Sequence, residues 1–251
     1  MPPPESTGNH VVEKGGEPSV RNKTVKDGRK ELTITIDGPA GSGKSTTAQK
    51  VAQALDYQYL DSGALYRVIT LYFLRGNIDI EATSDLQRFL DAISLDMRYE
   101  KNQLSVWLNG DNVTDQIRAP RVSSEISSVA ADNRVRKKVN EILHRLARKN
   151  GCVAEGRDMG SVVFPNADLK IYMSASLEER SRRRQKQLDE KGIHTKQKKV
   201  KTELEKRDLK DSTREHDPLI RPEDSVYLDN SSMSFDEQVQ FIIDLARQRG
   251  A

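Results

Sequence analysis

The stretch Leu32-Thr33-Ile34-Thr35-Ile36-Asp37-Gly38-Pro39-Ala40-Gly41-Ser42-Gly43-Lys44-Ser45 decides the fold of this chain. Its first five residues are short and β-branched and run into a glycine-rich turn, which predicts a strand. The eight that follow Asp37 fit the pattern G-x-x-x-x-G-K-[ST]. Glycines let the backbone turn its N–H groups inward as an anion-binding nest. From Lys44 onward, Ala48, Val51, Ala52 and Leu55 recur at helical spacing, so a helix begins here with its positive N-terminal end on the same anion. Lys44 supplies a point charge for β- and γ-phosphates, and the Ser45 hydroxyl a ligand for Mg2+. A strand before and a helix behind make this a P-loop for a nucleoside triphosphate. The expected contacts are Gly38, Pro39, Ala40, Gly41, Ser42, Gly43, Lys44, Ser45 and Thr46.

Working outward, a second helix is expected over residues 64–74, stopping near Gly76. Residues 95–113 break the pattern: Leu104 to Leu108 roughly alternates, and Asn109-Gly110 is a hairpin turn signal. A small β-rich insertion is therefore expected at about 78–118. Helices resume over 122–149. Residues 152–154 and 169–173 are apolar runs between helices, the mark of a parallel sheet covered on both faces. A long charged helix follows Ser176, breaks near Gly192 and resumes through Arg207. A strand at 225–229 and a helix carrying Val239, Ile242, Ile243 and Leu245 close the chain. The fold class is α/β, a doubly wound parallel sheet.

Residues 1–30 hold three consecutive prolines, several glycines and mixed charge with almost nothing apolar, so a disordered tail is expected, with structure beginning at Leu32. The remaining residues, 31–251, are enough for one large domain with its own core. No apolar run approaches a membrane span, and the N-terminus lacks the pattern of a secretory signal. Cys152 is the only cysteine, which excludes an internal disulfide and points to a reducing cytoplasm. The net charge of +3, from 41 basic and 38 acidic residues, is too small to argue for nucleic-acid binding. The basic residues crowd into 180–210, where a solvated helix face accounts for them as readily as a ligand. His144, His194 and His216 lack metal-ligand spacing.

A P-loop alone does not separate kinases from GTPases or motor ATPases, although the guanine-reading N-K-x-D motif is absent. Three further segments are more telling: Asp61-Ser62-Gly63-Ala64-Leu65-Tyr66-Arg67, Gly156-Arg157-Asp158-Met159-Gly160, and Arg207-Asp208-Leu209-Lys210-Asp211-Ser212-Thr213-Arg214. In this order, behind such a P-loop, they resemble the bacterial cytidylate kinases, from about Leu32 to the C-terminus.

The resemblance implies a P-loop kinase core, an acceptor-binding region over 61–140 that includes the β-rich insertion, and a helical lid over 180–210. It implies transfer of a phosphoryl group from ATP, with Mg2+, to CMP or dCMP. A cytoplasmic monomer that binds neither nucleic acid nor membrane is expected. Arg67 and Arg157 match arginines that hold the acceptor phosphate, a task suited to a planar fork, and Ser62 matches a hydroxyl contact in that pocket. Ser127, Arg136, Asp158 and Arg214 match cytosine-reading positions, and Arg207 and Asp211 match contacts to the sugar. Arg180, Arg183 and Arg184 fall in the lid over the transferred group. With Lys44, Arg157 and Asp158, Arg180 and Arg184 make up the expected catalytic set. Pairing with Arg157 or helping to organise the metal are the alternative roles for Asp158. Glu155 stands where the family often has aspartate, and its expected role is to orient a water on Mg2+. The lysines 196, 198, 199 and 201 have no assigned task. A related kinase with another acceptor, or a P-loop switch whose basic lid contacts RNA, remain the alternatives.

Overall fold

The computed structural model describes residues 25–26, 29–80, 84–101, 103–148, 150–190 and 192–251. The expected tail at 1–30 therefore falls mostly outside the described residues. Its end does not: β1 (Val25–Lys26) pairs antiparallel with β2 (Arg29–Lys30), and the Lys30 N–H donates to the Gly250 carbonyl at 2.8 Å. Described structure thus begins before Leu32, tied to the last turn of the chain.

The strand expected at the start is β3 (Thr33–Asp37), followed by α1 (Lys44–Leu55). Next come β4 (Gln58–Asp61), α2 (Ser62–Gly76) and α3 (Leu86–Ala92). The insertion is β5 (Leu95–Glu100), β6 (Gln103–Leu108) and β7 (Asp111–Asn112). Then follow α4 (Pro120–Val129), α5 (Asn133–Leu146), β8 (Cys152–Gly156) and β9 (Leu169–Ser174). The stretch expected to be a lid folds as α6 (Leu177–Asp189) and α7 (Gln197–Thr213); β10 (Val226–Asp229) and α8 (Phe235–Gln248) finish the chain.

Among the described residues, five strands form one sheet in the order β10-β9-β3-β8-β4, every pair parallel. Side chains alternate across a strand, so Cys152 and Ala154 of β8 join the core that includes Leu65, Ile69, Val139 and Leu143 of α2 and α5. Val153 points the other way, into a core with Ile34, Ile36, Val51, Ile171 and Ile242 built on α1 and α8. Helices on both faces explain why these strands read as near-continuous apolar runs. β3 lies in the middle, and β8 is its neighbour although 119 residues separate Thr33 from Cys152 in register. The carboxyl ends of β3 and β8 are thereby side by side, where open α/β sheets bind ligands.

The insertion is a separate three-stranded antiparallel sheet, β5-β6-β7. Leu95, Met97, Val106 and Leu108 are its buried side, continuous with the α2 core. The Asn109-Gly110 turn is present, both residues at positive φ (52° and 91°), and it links β6 to β7. The longer hairpin turns instead at Lys101. Sequence reasoning missed β4, α3 and the short turn of helix at Gln116–Arg118.

Candidate active site

Gly38 leaves β3 at φ 146°, and a Cβ there would sit 1.9 Å from the Met173 carbonyl of β9, so the loop's entry admits no side chain. Gly43, at φ 91°, starts α1. Inside the loop Lys44 is buried, its Nζ donating to Pro39 O at 2.7 Å and to Ser42 Oγ at 3.3 Å. Burial, helped by the Arg157 charge, pushes its pKa down to about 7. Thr46 donates to Gly43 O at 3.0 Å and so closes the first turn of α1.

The Ser45 hydroxyl meets Glu155 Oε1 at 2.5 Å, and the Tyr59 hydroxyl of β4 donates to the same oxygen at 3.2 Å. Glu155 is the penultimate residue of β8, one strand from the P-loop, which is how the parallel pairing carries it there. Ser62, at the start of α2, donates to the Glu155 carbonyl at 2.9 Å. Asp61 caps α2 by accepting from Ala64 N at 2.9 Å, and burial holds its carboxyl above the usual range.

Past β8 the chain presents Arg157 and Asp158 on a loop that Asp37 braces. The Asp37 carboxylate, buried at the last position of β3, accepts from Met159 N at 2.8 Å and Gly160 N at 2.7 Å. Arg157 donates through Nε to Asp211 at 2.8 Å, and Arg207 lies 4.0 Å from the same carboxylate. Among the described residues Arg207 Nε is buried without a hydrogen-bond partner, and burial beside Arg157 pushes its pKa down to about 10. Arg67 of α2 donates to Ser123 Oγ of α4 at 3.0 Å. Ser127 sits one turn further along α4, partly exposed, on the face that Ser123 shares.

Asp158 does not pair with Arg157. Its partners are Arg136 and, at 3.5 Å, Arg214. Burial raises its carboxyl above the usual range against the pull of both cations. Arg136 is 1% exposed and hydrogen-bonded on every nitrogen: to Asp158, to Asp217 at 2.5 Å and to Ala130 O at 3.0 Å, with its guanidinium carbon 5.6 Å from the centre of the Tyr66 ring. Arg214 also holds the Asp217 carbonyl. The Tyr66 hydroxyl is buried there with no hydrogen-bond partner among the described residues.

The three lid arginines divide. Arg180 is buried and donates to Ala175 O and Ala40 O, both at 3.0 Å, and to Asp208, whose other oxygen accepts from Ala40 N at 3.0 Å. Together Arg180 and Asp208 grip both sides of the Ala40 peptide. Arg183 donates to Ser42 O at 3.2 Å and to Asn230, and Gln238 links Asn230 to Thr47 of α1. Only Arg184, with a 3.4 Å contact to Gln187, turns its charge toward Arg67 and Arg207. The expectation that Arg180 lies over the transferred group thus differs from its position here, fixed to P-loop backbone. Asp37, Asp208, Asp217, Tyr59 and Asn230 were missed. Asp208 lies inside a quoted segment, but nothing local marks it as a partner of Ala40, 168 residues away.

An anion cradle at the end of β3 faces an arginine-rich loop at the end of β8, and one pair of lid helices touches both. That division suits a triphosphate donor and a phosphorylated acceptor, which defines the class as a P-loop nucleoside monophosphate kinase. Residues 34–248 match the sequence profile of cytidylate kinase, and the chain belongs to that family. It is 42% identical over 221 residues to the cytidylate kinase of Lysinibacillus sphaericus, covering 88% of this chain and 99% of that one. The Enterococcus faecalis cytidylate kinase is 39% identical over 220 residues, covering 88% and 97%. Among solved structures, a shikimate kinase from Acinetobacter baumannii in complex with shikimate is 14% identical with a TM-score of 0.44, covering 86% of this chain and 93% of that one.

Proposed function

We infer that the protein transfers the γ-phosphoryl group of ATP to CMP or dCMP, giving ADP and CDP or dCDP. The observation that carries the base assignment is Asp158, a buried carboxylate flanked by the donor-only side chains Arg136 and Arg214. Cytosine offers an amino donor at its 4-position and acceptors at N3 and O2. Asp158 accepts from the amino group and Arg214 donates to the acceptors, with Arg136 holding Asp158 in place. Uracil reverses the polarity at two of these positions and leaves buried groups unpaired.

Arg67 and Arg157 hold the acceptor's phosphate, with Ser62 lining its pocket, while Ser127 lies beside the base and Arg207 and Asp211 take the sugar. An oxygen of that phosphate attacks the γ-phosphoryl group in line, and the bond to the β-phosphate oxygen breaks. No covalent enzyme intermediate is needed, so positioning and charge neutralisation do the catalysis. Lys44 neutralises the β- and γ-phosphates, Arg184 reaches the transferred group from the lid, and Arg180 holds the P-loop backbone that cradles it.

Mg2+ fits the residues present. Ser45 Oγ and the Glu155 carboxylate are hard oxygen donors 2.5 Å apart beside the cradle. With nucleotides Mg2+ usually keeps several waters and takes few protein oxygens besides those of the phosphates. Ser45 would bind it directly and Glu155 through a water, and when bound the ion draws charge from the phosphate oxygens.

Location in the cytoplasm and a monomeric state complete the reading, with ATP and the pyrimidine nucleotide as partners and no nucleic acid or membrane. Among the described residues no helix is long and apolar enough to cross a membrane.

ADP production is measured with CMP, dCMP, UMP, AMP, shikimate or RNA supplied singly, in wild type and in Asp158→Ala. Turnover with CMP and dCMP far above the others is expected, with the CMP/UMP ratio of kcat/KM collapsing in the variant. If activity falls while that ratio holds, Asp158 does not read the base.

A further inference from the structure

The mechanism above uses side chains from two loops, yet the carboxylate joining those loops touches neither nucleotide site directly. Asp37 is the residue immediately before Gly38 and is 2% exposed. Its backbone is fixed on both sides, opposite Gly156 in β8 and Tyr172 in β9. Its side chain leaves the P-loop and takes the amides of Met159 and Gly160 at 2.8 and 2.7 Å, one on each oxygen. Those amides directly follow Arg157 and Asp158. They open the tight turn Met159–Val163, of the wide-turn helix type that recurs at functional sites. Gly160 is shaped for the contact, since a Cβ there would lie 2.8 Å from Thr35 Oγ1 and 3.3 Å from Asp37 Oδ2.

We propose that Asp37 is a positioning residue that sets the acceptor loop, and with it Arg157 and Asp158, at a fixed distance from the P-loop. A carboxyl group accepting two adjacent backbone N–H groups, one on each oxygen, is a rigid bridge, because the amides cannot rotate independently, and both bonds are charge-assisted when the group is ionised. Without it the loop keeps its β8 connection but loses the constraint on where Arg157 and Asp158 point. The donor cradle keeps its hydrogen bonds: the Lys44, Thr46 and Arg180 contacts that shape it involve no atom of the Asp37 side chain, which acts on Lys44 through its charge alone. The defect is therefore one-sided. It falls on CMP affinity and on turnover, and spares ATP affinity. This rests on the cytidylate kinase reading of the acceptor loop.

The test compares wild type with Asp37→Asn, Asp37→Ala and Gly160→Ala. Dissociation constants for ATP and for CMP are measured separately by calorimetry, alongside kcat and KM. Asparagine keeps the volume and one acceptor but turns an amino group on the second N–H. Gly160→Ala perturbs the bridge from the other loop and leaves Asp37 intact. The expected result is a fall of about 10- to 100-fold in kcat/KM for CMP, the scale on which small misplacements act. ATP affinity stays within about twofold of wild type in all three, and Asn is milder than Ala. A variant that melts like wild type and keeps its CMP constants overturns the proposal. So does a loss shared equally between ATP and CMP, which would mark Asp37 as general scaffold. Wild type that binds ATP but neither binds nor phosphorylates CMP would instead remove the reading of function, and this proposal with it.

Discussion

Replacing Arg136 with methionine should destabilise the free protein far more than a surface arginine would. The side chain is 1% exposed and carries charge next to Asp158, itself 2% exposed. Burial works against its charge, but Tyr66, Asp158 and Asp217 hold the guanidinium in its charged form. Methionine keeps much of the stem's volume, so packing loss is small. What remains is a buried carboxylate whose one cation is Arg214 at 3.5 Å. Breaking a buried pair from one side costs about 3–5 kcal/mol, because the surviving charge is left in a poor solvent. For a domain of this size each kcal/mol moves Tm by about 2–4 °C, giving a fall of roughly 6–20 °C. Asp217 contributes less to that loss because its side chain is 27% exposed and turns to water. The decisive variant is the double one, Arg136→Met with Asp158→Asn. Removing the stranded charge should recover at least about 1 kcal/mol, a coupling expected of residues in contact. Urea unfolding without nucleotide, with unchanged m-values, reads both quantities. A single variant that loses less than about 1 kcal/mol, or a double variant whose loss is the plain sum of its parts, would refute the reasoning.

Gly38→Ala should cost roughly 1–3 kcal/mol in backbone strain alone, before the clash with Met173 O is relieved by moving the loop; the rise in Tm that ATP gives wild type should disappear, and a variant that still shows it would mean the entry to the loop tolerates a side chain. Burial raises the Asp37 carboxyl from 3.8 to about 7 against its two amide bonds. The folded state then keeps a proton that the unfolded chain has released, so this residue makes stability fall as pH rises from about 4 to about 7, by up to about 4 kcal/mol. Asp37→Asn should flatten that part of the profile; a steeper fall in the variant than in wild type would show that the amide bonds outweigh burial.

The P-loop was legible because all of its information is local: glycine positions, a preceding apolar strand and a helical repeat behind it. The central strands were legible for a related reason, since burial on both faces demands apolar runs. β4 was not, because Gln58-Tyr59-Leu60-Asp61 is four residues long and polar at both ends. Arg157, Asp158, Asp211 and Arg214 were singled out by resemblance, and the fold does bring them into one cluster. Their pairing was beyond reach: Arg157 goes to Asp211 rather than to its chain neighbour, because the loop after β8 turns the two side chains apart. The lid arginines show the limit most clearly. Arg180, Arg183 and Arg184 look equivalent in sequence, yet helical rotation sends two of them to P-loop backbone and one toward the acceptor cluster.

That division bears on how charge is spent in the site. Arg157 is bonded to Asp211, Arg136 to Asp158 and Asp217, and Arg180 to Asp208. A cation held by a buried carboxylate has its direction fixed and its charge largely balanced. It serves to place a ligand and gains less from new negative charge. Arg207 and Arg184 are arranged differently. Among the described residues, Arg207 lies 4.0 Å from the Asp211 carboxylate with a buried, unpartnered Nε, and Arg184 has only a long contact to a glutamine. Both stand among other guanidinium groups, whose repulsion is relieved by an anion arriving between them. Preorganised charge lowers a barrier most where it is least balanced beforehand and where negative charge develops. The paired arginines therefore set geometry. Under the reading proposed above, Arg184 and Lys44 are where the charge of phosphoryl transfer has most to gain, and Arg207 stands ready to take a new partner on the acceptor side.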